Sequence, residues 1–128
     1  MPKIFIADDE HPWLQLAISA LSPFGEVKAV THIADVFDTI TTPLYMDDPD
    51  EHEFDLIVLD NNMQVSGAGI QALCEMRELG DKTPVIIHSS DLTPMDEQKL
   101  AKYNGVFVRK KIDCKKLITM VQEILAAK

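Results

Sequence analysis

Short apolar runs alternate along the chain with segments in which apolar residues recur every three or four positions. An apolar run rich in β-branched residues is typical of a strand buried in a parallel sheet, and the wider spacing is typical of an amphipathic helix. The run Leu56–Leu59 is the clearest strand, because no polar residue interrupts it and Asp60 ends it. The predicted strands are Lys3–Ala7, Val27–Val30, Leu56–Leu59, Pro84–His88 and Val106–Val108.

A helical pattern follows each predicted strand. Gly80 is expected to be a left-handed C-terminal cap, and Thr93 and Asp113 are expected to be N-caps. The predicted helices cover residues 12–21, 32–41, 70–79, 94–103 and 114–125. Five strands that alternate with five helices predict an α/β fold, a doubly wound parallel sheet with helices on both faces and right-handed crossovers.

The segment from Thr42 to Glu53 shows neither periodicity and is the most acidic stretch of the chain. A calcium loop is one interpretation of such clustered acids. However, no glycine stands at the sharp turn of a twelve-residue loop, and the spacing of the ligands does not fit. We therefore expect a solvated, mobile loop.

The charge of the chain is negative and uneven. The net charge is −9, with 13 acidic residues against two lysines in residues 1–60, and 10 basic residues against 8 acidic ones in residues 61–128. This balance argues against a nucleic-acid surface over the whole fold, because binding phosphates requires a basic footprint. The distribution predicts an acidic pole and a mildly basic flank.

The chain has 128 residues, which is enough for a single domain, 1–128, whose core needs no disulfide or structural metal. Cys74 and Cys114 lie in predicted helices and lack the spacing of metal ligands, so we expect free thiols in a reducing cytoplasm. No apolar run approaches the roughly 18 residues of a membrane span, and the start lacks the apolar core of a signal peptide.

Four of the five predicted strands end in polar or charged side chains: Asp8 and Asp9, Asp60, Ser89, and Lys110. The carboxyl ends of parallel strands lie at one edge of a sheet, so we expect these residues to converge. Carboxylates about 5 Å apart repel by roughly 3 kcal/mol per pair at an effective dielectric constant near 20. Lys110 supplies one compensating charge. Mg²⁺, which prefers hard oxygen ligands, is the natural source of the rest.

The set formed by Asp8-Asp9, Leu59-Asp60-Asn61-Asn62-Met63, Ser89 and Lys110 resembles the receiver domain of two-component response regulators. The residues stand in the family's order and on the family's elements, and the resemblance extends from about Lys3 to Ala127. It implies a flavodoxin-like sheet with the strand order 2-1-3-4-5, a Mg²⁺ cofactor, and phosphorylation of an aspartate by a histidine kinase.

The resemblance implies roles for the charged residues. Asp60 is the expected phosphoacceptor, whose carboxylate attacks a phosphoryl group in line. Asp8 and Asp9 are expected to hold Mg²⁺ directly or through water, together with Asp60 and the main-chain carbonyl of Asn62. Lys110 is expected to neutralise a phosphoryl oxygen.

The resemblance also implies a switch. Ser89 is expected to donate a hydrogen bond to the phosphoryl group, and Phe107 is expected to turn inward when that hydroxyl moves. We further expect Asn62 and Asp91 to influence how long the phosphoryl group lasts, because they flank the phosphoacceptor and Ser89 where a water would approach. His88 lies in an apolar strand and is expected to be a structural histidine with satisfied hydrogen bonds.

The chain departs from the family pattern in two loops. Gln64 stands where the family usually has proline, and the loop is one residue longer, so that Gly67 and Gly69 are both candidates for the family's glycine. Lys111 stands where a proline usually follows the lysine through a cis peptide bond. A cis bond before another residue type costs about 2.5–4 kcal/mol. We therefore expect a trans or strained bond and a Lys110 that is aimed differently or held less rigidly.

The resemblance implies a signalling switch that promotes its own phosphorylation and dephosphorylation and is not a turnover enzyme. The expected partners are a sensor histidine kinase or phosphotransfer protein and a downstream protein target, without a membrane or direct nucleic-acid contact. The face of the fourth helix, fifth strand and fifth helix would allow a homodimer. Because the chain ends with the fifth helix, we expect either a stand-alone regulator or a receiver excised from a longer protein.

Other classes of protein fit the sequence less well. A pseudo-receiver, a binding module of the same fold that acts by protein contact without phosphorylation, is favoured by Gln64 and Lys111 but opposed by the intact acidic residues, Ser89 and Lys110. A haloacid-dehalogenase phosphatase requires a second aspartate two residues after the nucleophile, where this chain has Asn62. Flavodoxin requires a phosphate loop after the first strand, where acids would repel the flavin phosphate.

Overall fold

The computed structural model describes residues 1–45 and 53–127. In these residues a five-stranded parallel sheet has the strand order β2-β1-β3-β4-β5, so the predicted doubly wound topology is confirmed. The strands are β1 (Lys3–Ala7), β2 (Glu26–Val30), β3 (Leu56–Leu59), β4 (Val85–Ser89) and β5 (Val106–Arg109).

In the part of the chain that the structure describes, four helices lie between successive strands and a fifth follows β5; a short 3-10 turn, Ser22–Phe24, also follows the first helix. Four are regular: α1 (His11–Leu21), α3 (Ala68–Glu78), α4 (Pro94–Lys102) and α5 (Lys115–Ala126). The second, α2, has three consecutive parts, which are Ile33–Val36, a π-helical turn Phe37–Thr41, and Thr42–Tyr45. No helix within 1–45 and 53–127 is long and apolar enough to cross a membrane.

The helices cover both faces of the sheet. Ile57 and Leu59 of β3 pack in the cluster that includes the buried residues of α2, α3 and α4, and Leu56 and Val58 pack in the cluster that includes those of α1 and α5. Because successive side chains of a strand point to opposite faces, a strand covered on both sides is apolar at every position. Packing on both faces therefore fixes the position of β3, and it also fixes the position of Asp60, which directly follows the strand.

The helix α2 is longer than the sequence predicts. Thr42–Tyr45 is helical, so the prediction of a loop beginning at Thr42 is wrong. Pro43 suggests a break, yet the chain stays helical through it, directly after the π-helical turn Phe37–Thr41. The added turn is also held from outside, because the Tyr45 hydroxyl donates a hydrogen bond to Glu75 Oε1 on α3. The central part of the predicted acidic loop, residues 46–52, lies outside the described residues.

The helix α5 begins one residue later than the sequence predicts. Cys114 occupies the N-cap with a φ of 55°, and it therefore lies just outside the helix. The prediction of Asp113 as the N-cap is therefore wrong by one residue, although the Asp113 carboxylate does accept a hydrogen bond from the Lys115 N–H at 3.1 Å. Both Cys74 and Cys114 are free thiols, as expected.

Two other predicted caps are confirmed. Thr93 is the N-cap of α4, and its hydroxyl oxygen accepts a hydrogen bond from the Asp96 N–H at 3.1 Å. Gly80 follows α3 with a φ of 91°, in the left-handed region that glycine adopts without strain. Local sequence signals therefore place these two helix ends correctly.

Arg77, near the end of α3, ties together the loops before β4 and β5. Its guanidinium donates hydrogen bonds to the main-chain oxygens of Tyr103 at 2.8 Å, Asp81 at 2.9 Å, Thr83 at 2.9 Å and Asn104 at 3.4 Å. Carbonyl groups at loops need such partners when they are removed from water. Arg77 thus stabilises the edge of the sheet opposite to the carboxyl ends of the strands.

We expect Arg77→Lys to lower the free energy of unfolding by about 2–3 kcal/mol, because one ammonium group cannot satisfy carbonyls on two loops. Urea unfolding measures this loss. Arg109→Lys is the matched control, since Arg109 is exposed. A loss no larger than that of the control would contradict the role of Arg77.

Candidate functional site

Four carboxylates converge at the carboxyl ends of β1 and β3. Oxygen atoms of Asp8, Asp9, Glu10 and Asp60 all lie within 4.8 Å of one another. Asp8 and Asp60 are each only 3% exposed. The backbone fixes both, because the Asp60 N–H donates to the carbonyl of Ala7 at 2.9 Å and the Asp8 N–H donates to that of Val30 at 3.2 Å. The hydrogen-bond ladder of the sheet therefore extends into the acidic cluster.

Lys110 places its ammonium group in this cluster. Its Nζ lies 2.8 Å from Asp8 Oδ2, 3.5 Å from Asp60 Oδ1 and 3.8 Å from Glu10 Oε1, and its side chain is 2% exposed. The Trp13 ring covers it, with 5.5 Å between Nζ and the ring centroid. The peptide bond to Lys111 is trans, as expected. Lys110 nevertheless reaches the carboxylates, although no proline follows it.

The acidic cluster carries more negative than positive charge. Burial raises the pKa of Asp60 to about 6, and the neighbouring Asp8 carboxylate acts in the same direction, while Lys110 opposes the shift. Four carboxylates face one ammonium group, so a divalent cation would offset the excess. Carboxylate oxygens are the ligands that Mg²⁺ prefers. The donor set therefore fits a magnesium ion. Glu10 adds a carboxylate that the sequence prediction of the metal site did not include.

Asn62 connects Asp60 to the loop that follows. Its N–H donates to Asp60 Oδ1 at 3.3 Å. Its side-chain oxygen accepts hydrogen bonds at 3.4 Å from the Ser66 hydroxyl and from the Gly67 N–H. Asn62 itself is exposed, so its side chain lies at the rim of the site.

Asn61 is a site residue for which the sequence predicted no role. It is 1% exposed, and its Oδ1 accepts a hydrogen bond from the Ile70 N–H at 2.9 Å, while its Nδ2 donates one to Asp96 Oδ2 at 3.1 Å. Asn61 thus joins the loop after β3 to the first turns of α3 and α4. A buried polar residue between a strand and a helix must find such partners, which is the only sequence signal for this role.

The two candidate glycines are both required, for different reasons. A Cβ atom on Gly69 would lie 2.7 Å from the main-chain oxygen of Asp60 and 3.0 Å from Asn61 Cα, so α3 approaches the loop too closely for a side chain. Gly67 has open space around it but a φ of 81°, which side chains disfavour. The close approach of Gly69 positions the start of α3 directly beside Asp60.

Ser89 and His88 end β4 with buried polar atoms. Ser89 is 1% exposed and His88 is 3% exposed, and neither Ser89 Oγ nor His88 Nε2 has a hydrogen-bond partner in the part of the chain that the structure describes. The expectation of a satisfied histidine is therefore wrong. Burial, helped by the Lys110 charge, lowers the pKa of His88 to about 4, so the imidazole is neutral at pH 7.

The remaining predicted residues lie around the acidic cluster. Phe107 is partly buried and pairs in register with Ile87 of β4. Ser89 comes two positions after Ile87, so Ser89 and Phe107 lie on the same face of the sheet. Asp91 is exposed and its Oδ1 accepts the N–H of Leu92 at 2.9 Å, so the structure leaves Asp91 at the rim, outside the acidic cluster.

The raised pKa of Asp60 predicts how the stability of the metal-free protein changes with pH. Ionisation disfavours the folded state, because the folded pKa is about 6 and the ordinary value is 3.8. Ionised Asp60 therefore lowers the free energy of unfolding by its full amount above about pH 7, and this destabilisation disappears as the pH falls through 6 towards 4. We therefore expect Asp60→Asn to raise the melting temperature at about pH 7.5 and to raise it less at about pH 5.

The measurement is thermal unfolding in a chelating buffer, with Asp91→Asn as the control, since it removes an exposed carboxylate at the same edge of the sheet. A gain for Asp60→Asn that does not depend on pH, or that Asp91→Asn matches, would contradict this account.

Known receiver structures have the same fold as this chain. A BeF₃-activated DrrB receiver domain is 23% identical, with a TM-score of 0.76 and 98% of each chain covered. The response regulator TrrA from Thermotoga maritima, in complex with Mg²⁺-BeF, is 18% identical, with a TM-score of 0.76 and 97% of this chain and 99% of that chain covered. A receiver domain protein from Methanospirillum hungatei JF-1 is 15% identical, with a TM-score of 0.81 and coverages of 99% and 95%.

Sequence comparison gives the family. No curated protein matches the chain. The sequence model of the response regulator receiver domain family, in contrast, matches residues 4–122. The matched range contains all four carboxylates of the acidic cluster and also Lys110. The chain therefore belongs to the response regulator receiver domain family of two-component systems.

Proposed function

We propose that the chain is a phosphorylation-dependent signalling switch in which Asp60 accepts a phosphoryl group from a histidine kinase or phosphotransfer protein, with Mg²⁺ as cofactor. Receiver domains in general are signalling switches and not turnover enzymes. The observation that supports the proposal most is the buried contact of Lys110 Nζ with both Asp8 and Asp60. Burying an ammonium group between carboxylates costs desolvation energy, so the pair is weak evidence for a purely stabilising role. It favours a site that binds an additional anionic group, such as a phosphoryl group.

The two oxygens of Asp60 have different surroundings. Oδ1 accepts the Asn62 N–H and contacts Lys110, whereas Oδ2 makes no hydrogen bond or ion pair with the residues that the structure describes. We expect Oδ2 to attack phosphorus in line. The bond from Oδ2 to phosphorus forms as the bond from phosphorus to the donor's imidazole nitrogen breaks. The electron pair of the broken bond stays on that nitrogen, which takes up a proton.

Charge compensation is the main task of the chain's own residues. Asp8, Asp9, Asp60 and the main-chain carbonyl of Asn62 would hold Mg²⁺, which supplies positive charge next to the phosphoryl oxygens. Two of the receiver structures described above were obtained with BeF₃ or with Mg²⁺-BeF. Lys110 would turn from Asp60 Oδ1 to a phosphoryl oxygen, and its pairing with Asp8 keeps it within reach.

Ser89 and Phe107 are suited to report the modification. The unpartnered Ser89 Oγ is available to donate a hydrogen bond to a phosphoryl oxygen, which would satisfy a buried polar atom. Phe107 lies on the same face of the sheet and is only partly buried, so a turn inward would cover more of its ring. The two positions of Phe107 would then be populated according to whether Asp60 is phosphorylated.

The pseudo-receiver alternative is not favoured. Its support comes from Gln64 and Lys111, yet Lys110 keeps its contact with Asp8 at 2.8 Å through a trans peptide bond. Receiver domains in general interact with histidine kinases and with downstream targets. We propose the same two kinds of partner for this chain.

Phosphorylation of Asp60 is tested by the mass of the intact protein after incubation with acetyl phosphate, with and without Mg²⁺. We expect the wild type to gain one phosphoryl mass in the presence of Mg²⁺ and Asp60→Asn to gain none. Asp91→Asn is the matched control and keeps the gain. A folded wild-type protein that gains no mass would contradict the proposal and favour the pseudo-receiver.

Asn62 and Asp91 are expected to control the lifetime of the phosphoryl group. Both are polar residues at the exposed rim, where they can bind and orient an attacking water. We expect Asn62→Ala and Asp91→Ala to lower the rate of phosphoryl loss several-fold after the donor is removed. Val65→Ala, at an exposed apolar position of the same loop, is the control. Unchanged rates for both variants would exclude this role.

A further inference from the structure

Gln64 joins the acidic cluster to the start of α2. Its main-chain N–H donates a hydrogen bond to Asp9 Oδ2 at 3.1 Å. Its side-chain Nε2 donates to the carbonyl of Thr31 at 3.0 Å, and its Oε1 accepts from the Ile33 N–H at 2.8 Å. The residue is exposed, yet it makes three hydrogen bonds to two other segments of the chain.

Gln64 makes these contacts from an unfavourable backbone conformation. Its φ is 57°, in the left-handed region that residues with a side chain rarely adopt. Proline, which receiver domains usually have at this position, is fixed near −65° and has no N–H. It could not adopt this backbone, and it could make none of the three hydrogen bonds. The departure from the family therefore creates a connection that proline does not allow.

Asp9 depends on this connection more than its neighbours do. Asp8 accepts a hydrogen bond from the Glu10 N–H at 2.9 Å and pairs with Lys110 at 2.8 Å. Within the described residues, the Gln64 N–H is the one hydrogen-bond donor to the Asp9 carboxylate. The direction of that N–H is fixed by the side chain of the same residue, which is bound at Thr31 and Ile33.

We infer that Gln64 is a positioning residue with two effects. It orients Asp9 for metal binding, and it makes the first turn of α2 respond when a metal binds to the acidic cluster. The inference rests on the proposed function, because it takes the acidic cluster to be the Mg²⁺ site. Hydrogen-bonded partners behind metal ligands orient those ligands and affect metal affinity. A change in the position of Asp9 must then move the Ile33 N–H, since both are bound to Gln64.

Metal affinity tests the first half of the inference. Calorimetric titration of the full chain with Mg²⁺ gives the dissociation constant without any phosphorylation step. We expect Gln64→Ala to raise this constant by roughly tenfold. Gln64→Gly should weaken binding similarly, although it relieves the strained φ, because it also lacks the side chain. Val65→Ala is the control in the same loop and should bind Mg²⁺ as the wild type does.

Amide resonances test the second half. In ¹⁵N-labelled wild-type protein, saturating Mg²⁺ should shift the amide signal of Ile33. The amide of Ala34 is the internal reference, because it donates to His32 Nδ1 at 3.0 Å and does not contact Gln64. In Gln64→Ala the Ile33 shift should disappear, while the signals of Asp60 and Asn62 still respond to the metal.

The outcomes separate the two proposals. A folded wild-type protein that does not bind Mg²⁺ contradicts the metal site of the proposed function and this inference with it. A wild type that binds Mg²⁺ while Gln64→Ala binds it equally well overturns the inference alone. The inference is likewise overturned if the metal leaves Ile33 unshifted in the wild type, or still shifts it in Gln64→Ala.

Discussion

The balance of charge at the carboxyl edge of the sheet governs the rest of this structure. Four carboxylates within 4.8 Å of one another would repel strongly, and the buried Lys110 offsets only part of that repulsion. The fold holds them together because Asp8, Asp60 and Lys110 directly follow strands or begin loops whose backbone hydrogen bonds continue the sheet. The stability contributed by the apolar core thus offsets the electrostatic repulsion at an edge that has too little positive charge.

The loop after β3 shows how closely this edge is built. Gly69 brings α3 against the main chain of Asp60, and Asn61 binds the first turns of α3 and α4. Gln64 binds Asp9 and the start of α2. The nine residues from Asn61 to Gly69 therefore connect Asp60 to three helices on one face of the sheet. A local change at Asp60 has direct hydrogen-bonded routes to all three.

Much of the fold is predictable from the sequence, because four of the five strands contain a short apolar run that no polar residue interrupts. The exception is β2, which has Lys28 at its centre. The order of polar residues at the strand ends likewise predicts the meeting of Asp8, Asp60 and Lys110. The sequence does not predict contacts that join distant residues through single side chains. The last turn of α2 depends on Tyr45 meeting Glu75, and the surroundings of Asn61 depend on Asp96. Neither pair has a local pattern.

Trp13 gives the site a property that no other residue of the chain can supply. It is the one tryptophan in the sequence, and its indole lies over the Lys110 ammonium and meets the edge of His88 with 6.5 Å between ring centroids. The emission of an indole depends on the charges and quenching groups beside it. The intrinsic fluorescence of this protein is therefore a label-free optical record of where the Lys110 side chain stands.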